Sequence, residues 1–71
     1  MPDYTIIIEK GDGNCSAYCP DLPGVVAAAE TEEETAELMR DAVEFHLEGL
    51  KDEKLSIPQP TVTARSITVM S

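Results

Sequence analysis

The stretch Ser16–Gly24 reads SAYCPDLPG and lies between two segments with the composition of β-strands. A simple hairpin needs only about two turn residues, commonly Asn-Gly or Asp-Gly. Here two prolines, which cannot donate to a strand ladder, combine with a glycine, which tolerates unusual φ values. The connection is therefore more elaborate than strand reversal requires. Either the chain topology or a binding partner demands its shape.

Strand patterns lie on both sides of this stretch. Residues 4–9 are β-branched and aromatic with apolar side chains on both faces, which predicts a strand that is central in a sheet or covered on both sides. Residues 11–14, GDGN, are a strong turn signal, and residues 15–19 then alternate in polarity. The sequence thus predicts a hairpin, followed by a third strand at residues 25–30.

A long amphipathic helix is predicted after the third strand. Thr31 is a good N-cap and Glu34 completes a capping box. Apolar residues follow three- and four-residue spacing from Glu32 to Leu50, and we interpret the glutamates of the first turn as helix initiation. The outward face of the helix is acidic and carries Glu37, Asp41, Glu44 and Glu48.

The C-terminal residues complete the predicted fold. Residues 55–60 are expected to be extended, because proline moves its predecessor out of the α region. Residues 61–69 are mostly β-branched, which predicts a fourth strand or a longer arm. The fold class is α+β, in the order β-β-β-α-β, with an antiparallel three-stranded meander, one helix and a fourth strand. We expect one domain over residues 1–71, with its core at about 3–64 and the C-terminal strand or arm at about 60–70.

The size of the chain points to association. It has 71 residues, of which 42% are hydrophobic and only three are aromatic. A chain this short buries only about 60 to 65% of the surface of its unfolded form, so a monomer is expected to be marginally stable. One helix also cannot cover both faces of an apolar sheet. We therefore expect a second copy or a partner chain to cover the remainder.

The charge of the chain restricts its partners. The net charge is −9, and ten of the 14 acids lie with three of the five bases in residues 30–54. Such a surface repels phosphate backbones, so direct nucleic-acid binding is not expected. It steers a basic partner toward the chain, or it serves solubility alone. No apolar run is long enough to span a membrane and no signal segment is recognisable, so we expect a cytoplasmic protein.

The sequence contains no pattern typical of a catalytic or metal site. Cys15 and Cys19 lie roughly 13 Å apart on one strand, too far for a disulfide, and are expected to be buried free thiols. His46, the one histidine, lies on the helix among apolar neighbours and reads as a packed side chain. No nucleophile–base pair, phosphate loop or ligand cluster accompanies these residues. We predict neither an enzyme nor a cofactor.

Taken together, these segments resemble the HicB family of antitoxins. The resemblance runs from about Tyr4 to Thr63, and its most specific part is CPDLPG between two strands. The helix AELMRDAVEFHLEGL and the extended IPQP follow in the order of the family. The resemblance implies a partial ribonuclease-H-like fold without catalytic acids. It also implies a cytoplasmic antitoxin that binds HicA, a small basic toxin that cleaves messenger RNA, and that self-associates as a dimer or tetramer.

The chain departs from the family pattern at two points. Ala29-Glu30 stands where family members often carry Gly-Asp before the helix cap. Full-length family members usually add a C-terminal helix-turn-helix or ribbon-helix-helix domain that binds the promoter. This chain ends at Ser71, so we do not expect it to bind the promoter.

The residues predicted to contact a toxin form two groups. The connecting loop contributes Tyr18, Pro20, Asp21, Leu22, Pro23 and Gly24, with Tyr18 and Leu22 presented on a rigid backbone. The acidic helix contributes Glu37, Asp41, Glu44 and Glu48. Two other functions are open: a stand-alone homo-oligomeric module without a toxin, and a sensor that binds a small molecule between helix and sheet. The loop can also be only the turn that the topology needs.

Overall fold

A computed structural model describes residues 3–70 as a three-stranded antiparallel sheet with one helix. The elements are β1 (Ile7–Gly11), β2 (Asn14–Tyr18), β3 (Val26–Ala29) and α1 (Glu32–Asp52). The strands pair in chain order, β1-β2-β3. The predicted meander and helix are therefore confirmed. Residues 1, 2 and 71 of the predicted domain lie outside the described residues.

The β1–β2 hairpin closes as predicted, around a pair between Gly11 and Asn14. Gly13 has a φ of 75°, a conformation that favours glycine over residues with a side chain. β1 begins at Ile7 and not at residue 4, because its partner β2 ends at Tyr18, which pairs with Ile7. The expectation that this strand is central is wrong: β2 is central and β1 is an edge strand.

The CPDLPG loop consists of two consecutive β-turns. The Leu22 amide donates to the Cys19 carbonyl over 3.1 Å, and the Val25 amide donates to the Leu22 carbonyl over 3.2 Å. Proline occupies the second position of each turn, where its fixed φ is favourable. Gly24 follows Pro23 with a φ of 89°, as a type II turn requires. The two turns move the chain from β2 to β3 and leave Leu22 at their junction.

The core lies between one face of the sheet and α1. Its buried apolar residues form one cluster of Ala17, Cys19, Leu22, Val25 and Met39. Leu22, Met39 and Thr35 are completely buried. The opposite face of the sheet, which bears Ser16, Tyr18, Val26 and Ala28, is exposed. As expected, the helix covers only one face of the sheet.

Both ends of α1 are capped. The Thr31 hydroxyl accepts from the Glu34 amide over 3.1 Å, which confirms the predicted N-cap. The Glu34 carboxylate accepts from the Thr31 hydroxyl. In a standard capping box this carboxylate accepts from the backbone amide of the N-cap residue, so the second hydrogen bond of the box differs here. At the other end Lys54 has a φ of 58°, and its amide donates to the Lys51 carbonyl while that of Leu55 donates to the Leu50 carbonyl. This pattern is a Schellman motif.

The predicted fourth strand does not form. Residues 55–70, hereafter the arm, have no regular secondary structure and add no strand to the sheet within residues 3–70. The amides of Thr61 and Val62 donate to the Asp21 carboxylate, so a side chain and not strand pairing attaches the arm there. The radius of gyration is 13.8 Å, against about 11 Å for a compact chain of this length. The arm therefore extends from the domain.

Replacing Leu22 by alanine is expected to lower the free energy of unfolding by about 2 to 5 kcal/mol, because it leaves a cavity in the buried cluster. The matched control is Leu38→Ala on the surface of α1, which should cost about 1 kcal/mol or less since Leu38 is already half exposed. Urea unfolding followed by circular dichroism measures both. Equal losses in the two variants would show that Leu22 does not anchor the core.

Candidate partner-binding surfaces

The six loop residues predicted to contact a toxin differ in their exposure. Tyr18 is 43% exposed and Pro23 and Gly24 are exposed, while Pro20 and Asp21 are partly buried. Leu22 is completely buried. The expectation that Leu22 is presented to a partner is wrong, because the two turns direct its side chain into the core. The loop is in part a structural element.

Asp21 holds the arm. Its carboxylate accepts from the Thr61 hydroxyl over 2.8 Å, from the Thr61 amide over 3.1 Å and from the Val62 amide over 3.3 Å. The hydroxyl of Tyr4 donates to the Pro58 carbonyl, and that of Thr5 donates to the Val62 carbonyl over 2.9 Å. Sequence inspection missed this attachment, because no local pattern connects residues 40 positions apart. The one signal was the aspartate between two prolines.

The attachment changes the acidity of Asp21. The hydrogen bond from the Thr61 side chain, supported by the Thr61 and Val62 amides, holds the pKa of this carboxyl below its ordinary value of about 3.8. Partial desolvation acts in the opposite direction and is outweighed. The Asp21 carboxylate thus already has hydrogen-bond partners within the chain. Its charge is less available to a partner protein than the charge of a free surface carboxylate.

The four acids predicted on the helix do form one surface. Glu37, Asp41, Glu44 and Glu48 lie three or four residues apart on α1 and are all exposed; we call them the acidic stripe. Glu44 lies 3.6 Å from the Arg40 guanidinium. No other member of the stripe has a basic nitrogen within 4.0 Å among residues 3–70. The stripe therefore presents charges that the described part of the chain leaves uncompensated.

The stripe and the loop do not form one continuous surface. α1 packs on the sheet face that bears the buried Ala17, and the stripe points away from that face. Tyr18 is the next residue along β2, so its side chain points to the opposite face of the sheet. The residues predicted to contact one partner are therefore divided between two sides of the molecule.

A third surface is an open apolar groove between α1 and the start of β3, hereafter the α1–β3 groove. Its lining includes Val26, Phe45, His46, Leu50, Glu53 and Leu55. Phe45 is 79% exposed at its rim, and His46 is partly buried, as the sequence predicted for a packed histidine. Both cysteines are free and buried, in agreement with prediction. Sequence periodicity placed Phe45 on the apolar side of the helix and missed its exposure.

Among residues 3–70, no three side chains of His, Cys, Asp or Glu converge in a way that could hold a metal ion. No helix within residues 3–70 combines the length and apolar character needed to cross a bilayer.

The attachment of the arm is expected to depend on pH. Because the pKa of Asp21 is lowered in the folded chain, the attachment is fully present above about pH 3.8 and is lost as pH falls through the lowered value. The amide chemical shifts of Thr61 and Val62, followed by NMR from about pH 6 to about pH 2, should report this transition.

Asp21→Asn should remove most of that transition and move the Thr61 and Val62 signals toward disordered-chain values already at neutral pH. Asp12→Asn, in the exposed β1–β2 turn, removes the same charge without touching the arm and is the control. Arm signals that titrate alike in the two variants would contradict the assignment.

The chain also matches a known protein family. Residues 4–69 match the family described as the HicB-like antitoxin of bacterial toxin-antitoxin system. The UPF0150 protein ssr1765 of Synechocystis sp. is 29% identical over 69 residues, which cover 96% of this chain and 87% of that protein. An uncharacterized 14.9 kDa protein from the rep-hol intergenic region of Haemophilus phage HP1 is 32% identical over 56 residues.

The phage match covers 79% of this chain and 42% of the phage protein, so this chain corresponds to less than half of that relative. No solved structure matches the chain significantly. The family match, in contrast, covers all three strands and the helix, and runs from residue 4 to residue 69. The chain belongs to the HicB-like antitoxin family.

Proposed function

We propose that this chain is the antitoxin of a type II toxin-antitoxin system, and that it binds and masks a small basic, RNA-cleaving toxin of the HicA type. The family to which it belongs is described as an antitoxin, and it is not an enzyme family. The single observation that carries the binding mode is the acidic stripe on α1. Binding alone suffices for the proposed role, and no catalytic step is required of this chain.

The energetics of the stripe favour a basic partner. Like charges four residues apart destabilise a helix by about 0.2 to 0.5 kcal/mol per pair. Asp41 lies four residues from Glu37, and Glu48 lies four residues from Glu44. Arg40 offsets part of this repulsion at Glu44 only. A basic surface placed over the stripe would relieve the repulsion and gain charge-assisted hydrogen bonds.

Masking follows from competition for the same positive charges. A basic ribonuclease must hold the phosphates of RNA with its lysine and arginine side chains. Carboxylates of the stripe would occupy those side chains and exclude RNA. The net charge of −9 would also accelerate the encounter, since opposite fields steer association.

The loop has a smaller part in this proposal than the stripe. Tyr18, on the sheet face that α1 leaves uncovered, and the exposed residues Pro23 and Gly24 remain candidates for contact. Pro20 and Asp21 shape the turn and hold the arm. We also retain a cytoplasmic location and a partial ribonuclease-H-like fold as parts of the proposal.

A stand-alone homo-oligomeric module is the second candidate. The observation that favours it is exposed apolar surface, with Phe45 on α1 and Ile67 and Val69 on the arm open to solvent. The product of the neighbouring gene distinguishes the two roles. A basic protein that forms a stoichiometric complex with this chain, measured by light scattering after size exclusion, favours the antitoxin.

Reversing two charges of the stripe, with Asp41→Lys and Glu48→Lys, is expected to weaken binding of that toxin by about tenfold or more at low salt. The difference should shrink as salt is raised. A control with the same net charge reverses Glu9 and Glu30, which lie outside the stripe. Titration calorimetry measures the affinity, and an RNA-cleavage assay measures the masking.

Equal weakening in the control would mean that only net charge matters, and the stripe would lose its assigned role. A neighbouring basic protein that neither binds nor is inhibited would contradict the antitoxin role itself.

A further inference from the structure

The end of the arm exposes apolar side chains to solvent. Within residues 63–70, Ile67 is 83% exposed and Val69 is 71% exposed. These two alternate with Ser66 and Thr68. An extended segment with this alternation has one apolar and one polar face. Its apolar face gains free energy only when another surface covers it.

The α1–β3 groove is a second apolar surface without a cover. Phe45 and Leu55 both line it and are 79% and 54% exposed. Residues 63–70 of the same chain leave the groove open, since Ile67 and Val69 remain in solvent. β3 also has a free outer edge, because its only strand partner within residues 3–70 is β2. A strand laid along this groove could therefore add backbone hydrogen bonds to side-chain packing.

We propose that the end of the arm of one copy packs in the α1–β3 groove of a second copy, and that the exchange is reciprocal. Two-fold symmetry would use each contact twice, so that both arms and both grooves are covered in one dimer. The apolar face of Ile67 and Val69 meets Phe45 and Leu55, while Thr68 lies on the opposite face of the segment.

The charge of the arm favours contact with a second copy over contact with a basic partner. Residues 55–70 contain no acid and one base, Arg65, whereas all 14 acids precede them. The arm therefore offers a basic toxin no opposite charge. The acidic body of a second copy attracts the arm instead. Glu53 lines the groove and gives Arg65 of the second copy an opposite charge nearby.

The dimensions permit the exchange. Asp21 fixes Val62, and the eight residues from there to Met70 span roughly 26 Å when extended. The two shorter dimensions of the molecule are 26 and 19 Å. The arm can therefore reach across a neighbouring copy. No member of the acidic stripe takes part, so the dimer does not rest on the antitoxin role.

Sedimentation equilibrium of the full chain tests this dimer. The wild type should dimerise reversibly, and Ile67→Asp should raise the dissociation constant by about tenfold or more, because it places a charge in the apolar contact. Thr68→Asp adds the same charge to the opposite face of the same segment. This matched control should leave the constant within about twofold.

The groove is tested separately by NMR. Phe45 is the one phenylalanine of the chain, so its ring signals are unambiguous. In a mixture of ring-labelled and methyl-labelled copies, a nuclear Overhauser effect between Phe45 and Ile67 can arise only between copies. A chain that stays monomeric at millimolar concentration, equal effects of the two aspartate variants, or a dimer without this signal would each overturn the proposal.

Discussion

The burial of Leu22 beneath two consecutive proline turns is the constraint on which the rest of this structure depends. The two turns place the Leu22 side chain in the cluster that contains Met39 of α1. Asp21, one residue earlier, remains accessible to the arm. One loop thus joins the sheet to the helix through an apolar contact and joins the domain to its C-terminal segment through a carboxylate. This explains why the connection is longer than strand reversal needs.

Local signals in the sequence were sufficient for most of the fold. The GDGN turn, the alternation of β2, the Thr31 cap and the apolar spacing of α1 each involve residues within a few positions of one another, where turn and helix chemistry act directly. The helix also brought the predicted acids into one stripe. These features follow from short-range physics and needed no tertiary information.

The predictions that were wrong concern interactions between residues that are distant in the sequence. Residues 61–69 have strand composition, but side-chain contacts from Asp21 and Thr5, and not strand pairing, hold the start of this segment. β1 is an edge strand because no fourth strand joins the sheet within residues 3–70, and local composition does not encode this. Leu22 was expected on the surface because exposed rigid loops often bind partners, while the core required an apolar residue at that point.

The three surfaces of α1 have different chemistry. One side packs on the sheet, the opposite side carries the acidic stripe, and a flank opens into the α1–β3 groove. A helix organised in this way can contact a basic toxin and a second copy at the same time, since neither partner needs the residues of the other. Either association would bury apolar surface that a chain of 71 residues leaves exposed on its own.

The most direct measurement of the proposed antitoxin role is an NMR titration of isotope-labelled chain with the basic protein encoded by the neighbouring gene. The proposal predicts that amide shifts change most along the outer side of α1, at the acidic stripe, with smaller changes on the sheet face that bears Tyr18. Changes concentrated on the sheet face, or no changes at stoichiometric toxin, would contradict it.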